Sequence, residues 1–122
     1  MIALRGATTI KENSADCIRE ASLELFEELI RANSIALEDI VSIIFSCTED
    51  VNKDYPGKFV RQHYKLSYTA IMHFNEMKVE NSLPLCIRIM LLINKASAEN
   101  IKFVYLNNAK TLRRDLVSDN LK

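Results

Sequence analysis

The stretch Leu85-Cys86-Ile87-Arg88-Ile89-Met90-Leu91-Leu92-Ile93 is the most apolar run in the chain and contains one charged residue, Arg88. Three β-branched residues, Ile87, Ile89 and Ile93, favour a strand over a helix. With the two-residue period of a strand, every second residue from Ile87 onwards lies on one face, and Arg88 lies on the other. Both faces are otherwise apolar, which predicts a central strand that is covered on both sides.

A guanidinium in such a strand needs a partner, because it cannot lose its charge. Burial without a partner would cost several kcal/mol. We therefore expect Arg88 to meet an internal carboxylate, to line a subunit interface, or to face a negatively charged ligand. A structural salt bridge is the commoner role for a single arginine.

The other periodic segments predict an α+β fold built on a mixed five-stranded sheet. One long helix begins after the capping residues Asn13 and Ser14 and extends to about residue 32, and one short helix begins at Pro56. One long helix covers one face of a sheet, so the second face is expected to pack against another subunit. The expected strands span residues 2–8, 41–47, 68–74, 85–93 and 101–106.

The composition is that of one globular domain, with 122 residues and a hydrophobic fraction of 48%. Lys+Arg and Asp+Glu both number 16, so the net charge of zero argues against nucleic acid or a membrane surface as a partner. No apolar run is long enough to span a membrane, and no signal peptide is expected. The three cysteines form no metal-binding spacing and predict reduced thiols in the cytoplasm.

The candidate site residues combine several cations with a single carboxylate. This set has no nucleophile and no metal-ligand group, and it suits a polyanionic small molecule held by guanidinium groups. Lys58 and Arg61 share a helical face, either as a solvated basic pair or as an anion clamp. The full set is Arg5, Lys58, Arg61, Glu76, Arg88, Tyr105 and Arg113.

Five short motifs occur in the order found in a known family, and together they cover the chain from Arg5 to about Leu116. They are Arg-Gly-Ala-Thr-Thr at 5–9, Tyr-Pro-Gly-Lys-Phe-Val-Arg at 55–61, Glu-Met at 76–77, Cys-Ile-Arg at 86–88 and Val-Tyr-Leu at 104–106. This pattern resembles the AroH-class monofunctional chorismate mutases.

The resemblance implies an isomerase that performs the cofactor-free, metal-free Claisen rearrangement of chorismate to prephenate in phenylalanine and tyrosine biosynthesis. It implies a homotrimer, described as a pseudo-α/β barrel, with active sites at the subunit interfaces. Residues 1–116 would form the chorismate mutase domain, and residues 117–122 a flexible C-terminal tail.

The resemblance also implies roles for individual residues. Arg88 matches the arginine that reaches the ether oxygen of the breaking bond, and Glu76 matches the acceptor from the ring hydroxyl. Arg5 and Tyr105 match groups that hold the substrate from the same subunit. The neighbouring subunit would contribute a wall containing Tyr55, Gly57, Lys58 and Arg61, and the C-terminal segment with Leu112 and Arg113 would close over the site.

Met72 and His73 depart from the family pattern, because a threonine-cysteine pair is common at these substrate-binding positions. His73 could pack at the interface and hydrogen-bond a backbone group. It could instead contact the ring hydroxyl of the substrate or the carboxylate of Glu76, which would raise the pKa of the imidazole. Tyr55, Lys78 and Arg114 also differ from the usual phenylalanine, aspartate and proline.

Two other functions remain open on the residues alone. One is a small trimeric enamine/imine deaminase-like protein, which also uses arginine to hold a carboxylate at an interfacial site. The other is a non-catalytic trimer that binds a carboxylate metabolite.

Overall fold

The computed structural model describes residues 1–96 and 100–113 and contains one mixed sheet with two α-helices. The predicted α+β fold is confirmed. The strands are β1 (Ile2–Thr9), β2 (Ile40–Cys47), β3 (Ala70–Asn75), β4 (Cys86–Ile93) and β5 (Val104–Tyr105), and the helices are α1 (Ala15–Asn33) and α2 (Pro56–Tyr64). Two short 3₁₀ helices span Leu37–Asp39 and Asn107–Arg113.

The apolar strand β4 lies at the centre of the sheet, as its sequence predicted. The strand order is β3-β2-β4-β1-β5. Strand β4 pairs antiparallel with both β1 and β2, whereas the outer pairs β2/β3 and β1/β5 are parallel. Because parallel neighbours need a crossover, the chain places α2 between β2 and β3.

Helix α1 begins where the sequence predicts. The side chain of Ser14 accepts a hydrogen bond from the backbone N–H of Cys17 at 3.1 Å and so caps the first turn. The helix ends at Ser34, which adopts the left-handed conformation with φ of 51°. The apolar stripe of α1 is buried against the sheet at Ile18, Ser22, Leu25, Phe26 and Leu29.

Helix α2 has Pro56 in its first turn, as predicted, and packs on the same side of the sheet as α1. The rings of Phe26 in α1 and Tyr64 in α2 are 5.0 Å apart. Both helices share a single core with the alternate residues of β4, including Ile87 and Leu91. The two helices therefore cover one face of the sheet, which we call the helix face.

The opposite face of the sheet, which we call the open face, carries Arg88, and that side chain is 45% exposed. The expectation that β4 is covered on both sides is therefore not met within a single chain. Met72 and Phe74 of β3 are also exposed, at 57% and 50%. Neither helix of the described chain combines the length and apolar character that a bilayer crossing needs.

The predicted fifth strand is too long. Only Val104 and Tyr105 pair with β1, although residues 101–106 alternate like a strand. The backbone of Lys102 hydrogen-bonds to the side-chain amide of Asn33 instead of to a strand. The amide donates to the Lys102 carbonyl at 2.8 Å and accepts from the Lys102 N–H at 2.7 Å. Gly6 permits the close approach of β5, because a Cβ there would lie 2.7 Å from the carbonyl oxygen of Val104.

Candidate active site

A cleft on the open face brings together three of the predicted site residues. Arg5 of β1, Arg88 of β4 and Tyr105 of β5 line it together with Ser46 of β2. Its volume is about 170 Å³, below the roughly 300–1,000 Å³ of a complete small-molecule site. We call it the arginine cleft.

Glu76 follows the end of β3 and reaches the arginine cleft through Arg88. The Nε of Arg88 lies 3.1 Å from Oε2 of Glu76. The hydroxyl of Ser46 donates to the same oxygen at 2.9 Å, and the backbone N–H of Glu76 donates to the carbonyl of Cys47 at 2.7 Å. The carboxylate is therefore fixed by two side chains and its own backbone.

Arg5 and Tyr105 form the other side of the arginine cleft. The guanidinium of Arg5 lies 5.1 Å from the centre of the Phe103 ring, in a cation–π contact that holds its long side chain in place. Tyr105 and the half-buried Leu112 pack against a small cluster centred on Ala7. The C-terminal 3₁₀ helix thus lies beside Tyr105, whereas the side chain of Arg113 lies outside the described part of the structure.

The remaining predicted residues lie at the opposite edge of the sheet, around β3 and the start of α2. Tyr55 and His73 line a second cleft of about 430 Å³ together with Asp54 and Phe74. We call it the histidine cleft. Since β3 and β5 are the two outer strands of the sheet, one chain does not combine the histidine cleft with Tyr105 in a single site.

His73 points to the helix face, where it packs and bonds to backbone. Its Nε2 accepts a hydrogen bond from the N–H of Gly57 at 2.9 Å, and its ring stacks on Phe45 at 5.5 Å. Burial lowers the pKa of His73. Of the two alternatives for His73, the structure contains the hydrogen bond to a backbone group. It does not contain the pairing with Glu76, which would raise the pKa, because Glu76 bonds to Arg88 and Ser46. Met72, the adjacent residue of the strand, points to the open face.

Lys58 and Arg61 do not form a free anion clamp in this chain. The ammonium of Lys58 pairs with Asp54 at 2.7 Å. Arg61 donates from Nη1 to the carbonyls of Leu66 at 2.5 Å and Ser67 at 3.5 Å. It also donates from Nη2 to the carbonyl of Thr69 at 2.9 Å. Because a guanidinium has five N–H donors, two remain for a ligand after these three contacts.

Sequence reasoning missed Ser46, Phe103 and Asn33. Ser46 shares the open face with Arg88, its cross-strand partner, so the strand alternation contains a signal for it. Phe103 and Asn33 act through contacts between distant segments, for which the local sequence gives no signal. Within residues 1–96 and 100–113, no group of three or more His, Cys, Asp or Glu residues is placed to hold a metal ion.

Comparison with known proteins gives a consistent result over nearly the whole chain. The profile of the family Chorismate mutase type I matches residues 1–116. The chorismate mutase AroH of Bacillus subtilis (strain 168) is 32% identical over 114 residues, covering 93% of this chain and 90% of the relative. That of Thermus thermophilus is 33% identical over 117 residues, covering 94% and 95%.

A solved chorismate mutase from Clostridium thermocellum superposes with a TM-score of 0.86 and is 38% identical. The superposition covers 91% of this chain and 99% of that chain. The chain therefore belongs to the chorismate mutase type I family, a class of isomerases. Neither the deaminase-like nor the non-catalytic alternative receives support from these comparisons.

Proposed function

We propose that this chain converts chorismate to prephenate by a cofactor-free Claisen rearrangement, a step towards phenylalanine and tyrosine. The observation that carries the proposal is the arginine cleft, in which Arg88, paired with Glu76, lies beside Arg5 and Tyr105. A pericyclic rearrangement needs no nucleophile and no proton transfer. It needs a held conformer and stabilisation of the charge that develops in the transition state.

The charge of the arginine cleft suits a dicarboxylate. The cleft contains two guanidinium groups, Arg5 and Arg88, and one carboxylate, Glu76, is paired with Arg88, so the three side chains carry a formal charge of plus one. Planar guanidinium groups can hold carboxylates with two parallel hydrogen bonds. Arg5 and Tyr105 are positioned to bind the outer part of the substrate, and Glu76 to accept from its ring hydroxyl.

Arg88 supplies the transition-state stabilisation. Its Nε–H is directed to Glu76, so its terminal N–H groups are left for the ether oxygen, on which negative charge grows as the bond breaks. A donor that is fixed before the reaction favours this charge without reorganisation, and the effect grows when water is excluded. A lysine would provide a point charge without the planar fork.

A second chain completes the site, and we propose a homotrimer with active sites at the interfaces. The open face exposes the apolar side chains of Met72 and Phe74, a pattern typical of a protein interface. The arginine cleft is smaller than a complete small-molecule site. The histidine cleft, at the other edge of the sheet, carries Tyr55 and His73, and His73 bonds to Gly57. The histidine cleft of a neighbouring chain would form the second wall.

We propose that residues 1–116 form the catalytic domain and that the protein acts in the cytoplasm. The expected tail at 117–122 lies outside the residues that the structure describes. All three cysteines are free thiols, in keeping with a reducing compartment.

The test is direct conversion of chorismate by the purified protein, followed by NMR. We expect loss of chorismate to match the appearance of prephenate with no cofactor or metal added. Binding of chorismate without turnover would instead identify a carboxylate binder. Release of ammonia from an enamine, with chorismate left intact, would identify the deaminase-like activity.

A further inference from the structure

The start of α2 lacks a side-chain cap of its own. Tyr55 occupies the N-cap position and makes no side-chain capping bond. The first amides of a helix have no partner within it, so they need an acceptor from outside. His73, on β3, supplies one, because its Nε2 accepts from the N–H of Gly57 at 2.9 Å.

The imidazole, together with Ile71, fills the space beside Gly57. The backbone of Gly57 does not adopt a positive φ, so its conformation does not require glycine. A Cβ at this position would lie 2.8 Å from Nε2 and 2.9 Å from Cε1 of His73, and 2.6 Å from Cγ2 of Ile71. The ring therefore occupies space that an alanine methyl would need.

The ring is held on two sides by aromatic contacts. Phe45 stacks on it with an interplanar angle of 12°, and Tyr55 packs at a centroid distance of 5.1 Å and an angle of 59°. Movement of the imidazole would therefore disturb Tyr55 directly and the first turn of α2 through Gly57.

We propose that His73 is a positioning residue that, as the neutral tautomer protonated on Nδ1, fixes the first turn of α2 and with it Tyr55 and Lys58. The inference rests on the proposed function, in which these residues form the wall of the neighbouring chain's site. Gly57 is the matching residue that makes room for the imidazole. His73 thus acts on the site indirectly, through its contacts with Gly57 and Tyr55.

The bond depends on protonation, because an imidazolium has no lone pair to accept from Gly57. The titratable groups that share the cleft with the ring are Cys47 of β2 and Lys53, Asp54 and Tyr55 of the loop. Lys58 of α2 reaches this group through Asp54. Asp54 is already paired with Lys58 at 2.7 Å and leaves the imidazolium without a free anion. Because burial lowers the pKa of His73, the wall should loosen on the acid side of about 6.5, the ordinary pKa of histidine.

Two variants separate the hydrogen bond from the ring. His73→Gln keeps an acceptor that does not titrate, and His73→Phe keeps an aromatic ring without an acceptor. We expect His73→Phe to raise KM roughly three- to tenfold, the effect of one hydrogen bond, with kcat changed less than about twofold. His73→Gln should stay within about twofold of the wild type in KM.

The pH profile is the second measurement. KM of the wild type should rise as the pH falls below about 6.5, and KM of His73→Gln should not. His63→Gln is the matched control, because His63 is the other histidine and is exposed, and it should keep the wild-type profile. If His73→Phe folds too poorly to assay, this comparison still decides the proposal.

The steric part is tested by combining variants at 57 and 73. Gly57→Ala should raise KM roughly two- to tenfold more in the wild type than in a His73→Cys background, where the ring is absent. Full rescue is not expected, because Ile71 also contacts the added methyl. Equal effects in both backgrounds, or an equal KM for His73→Phe and His73→Gln, would overturn the inference.

Failure of this inference is distinct from failure of the proposed function. A wild type that does not convert chorismate refutes the proposed function alone. Two measurements that do not need activity still test the positioning role. One is the tautomer of His73, read from its ¹⁵N chemical shifts. The other is the coupling between positions 57 and 73 in the Tm of the variants. If the enzyme is active but the neutral His73 ring carries its proton on Nε2, the positioning role is refuted and the proposed function stands.

Discussion

The arginine cleft and the histidine cleft differ in how far one chain completes them. In the arginine cleft, Arg88 is 45% exposed and Glu76 is 27% exposed, so their charges remain hydrated. In the histidine cleft, the imidazole is already packed between Phe45 and Tyr55 and bonded to backbone. In one chain the charged groups of the arginine cleft are thus open to water, whereas the imidazole of the histidine cleft is already packed.

The largest effect is expected in the arginine cleft, at Arg88. Arg88→Lys should lower kcat/KM roughly 10²- to 10³-fold, because the substitution removes the fork that stabilises the developing charge. The assay is chorismate consumption, with folding checked by thermal melting. Arg31→Lys is the matched control, since Arg31 pairs with Glu28 on the surface and is 72% exposed.

Near wild-type turnover of Arg88→Lys would reduce Arg88 to a structural salt bridge. The arginine cleft would then no longer be the cleft whose charged groups act on the substrate. An equal loss in Arg31→Lys would show that the assay reports general damage.

A smaller effect is expected at Ser46, which holds Glu76 at 2.9 Å. Ser46→Ala should lower kcat/KM about fivefold, because loss of one hydrogen bond of about 1 kcal/mol frees the carboxylate to move. Ser42→Ala, on the same strand and outside the cleft, should leave kcat/KM unchanged. An unchanged rate in Ser46→Ala would mean that Arg88 alone positions Glu76.

Asn33 supports the arginine cleft from a distance. Asn33→Ala should lower the free energy of unfolding by about 1–3 kcal/mol, because it leaves the backbone N–H and carbonyl of Lys102 without their partner. Urea denaturation measures this loss. Asn13→Ala is the control, because Asn13 bonds to Asn52 in an exposed pair, and its effect should stay within about 0.5 kcal/mol.

The smallest effect concerns the histidine cleft, which should contain no reactive thiol. Burial raises the pKa of Cys47 to about 12, so the thiol stays protonated at pH 8. Burial also raises the pKa of Cys86. A disulfide reagent at pH 8 should therefore modify only Cys17 in the folded protein and all three cysteines after unfolding. Fast modification of folded Cys17→Ser would contradict this prediction.

The fold was predictable where local pattern and packing agree. Three elements were predicted from neighbouring residues alone. These are the strand period of β4, the Ser14 cap at the start of α1, and Pro56 at the start of α2. The prediction failed at β5, because the bonds from Asn33 to Lys102 join residues 69 positions apart in the sequence. Side-chain bonds of this kind take the place of backbone pairing between strands. They leave no trace in the alternation of apolar and polar residues from which the strand was predicted.

The site was predictable in its residue types and less so in its geometry. The motifs grouped Arg5, Arg88 and Tyr105 as site residues, and these three residues line one cleft. The orientation of His73 was open, because an edge strand presents alternate residues to different surroundings. Its bond to Gly57 depends on how closely α2 approaches β3, a distance that only the folded chain defines.

The central claim is that the two clefts of different chains form one active site. Arg61 lies on α2, whose first turn is bonded to His73 of the histidine cleft. Arg88→Ala and Arg61→Ala subunits, each expected to be inactive alone and each checked for folding, should regain activity after mixing and subunit exchange. Random assembly places an intact arginine cleft against an intact histidine-cleft wall at about a quarter of the interfaces, so we expect about a quarter of wild-type activity. No recovery after demonstrated exchange, or full activity in a monomer by light scattering, would contradict the account.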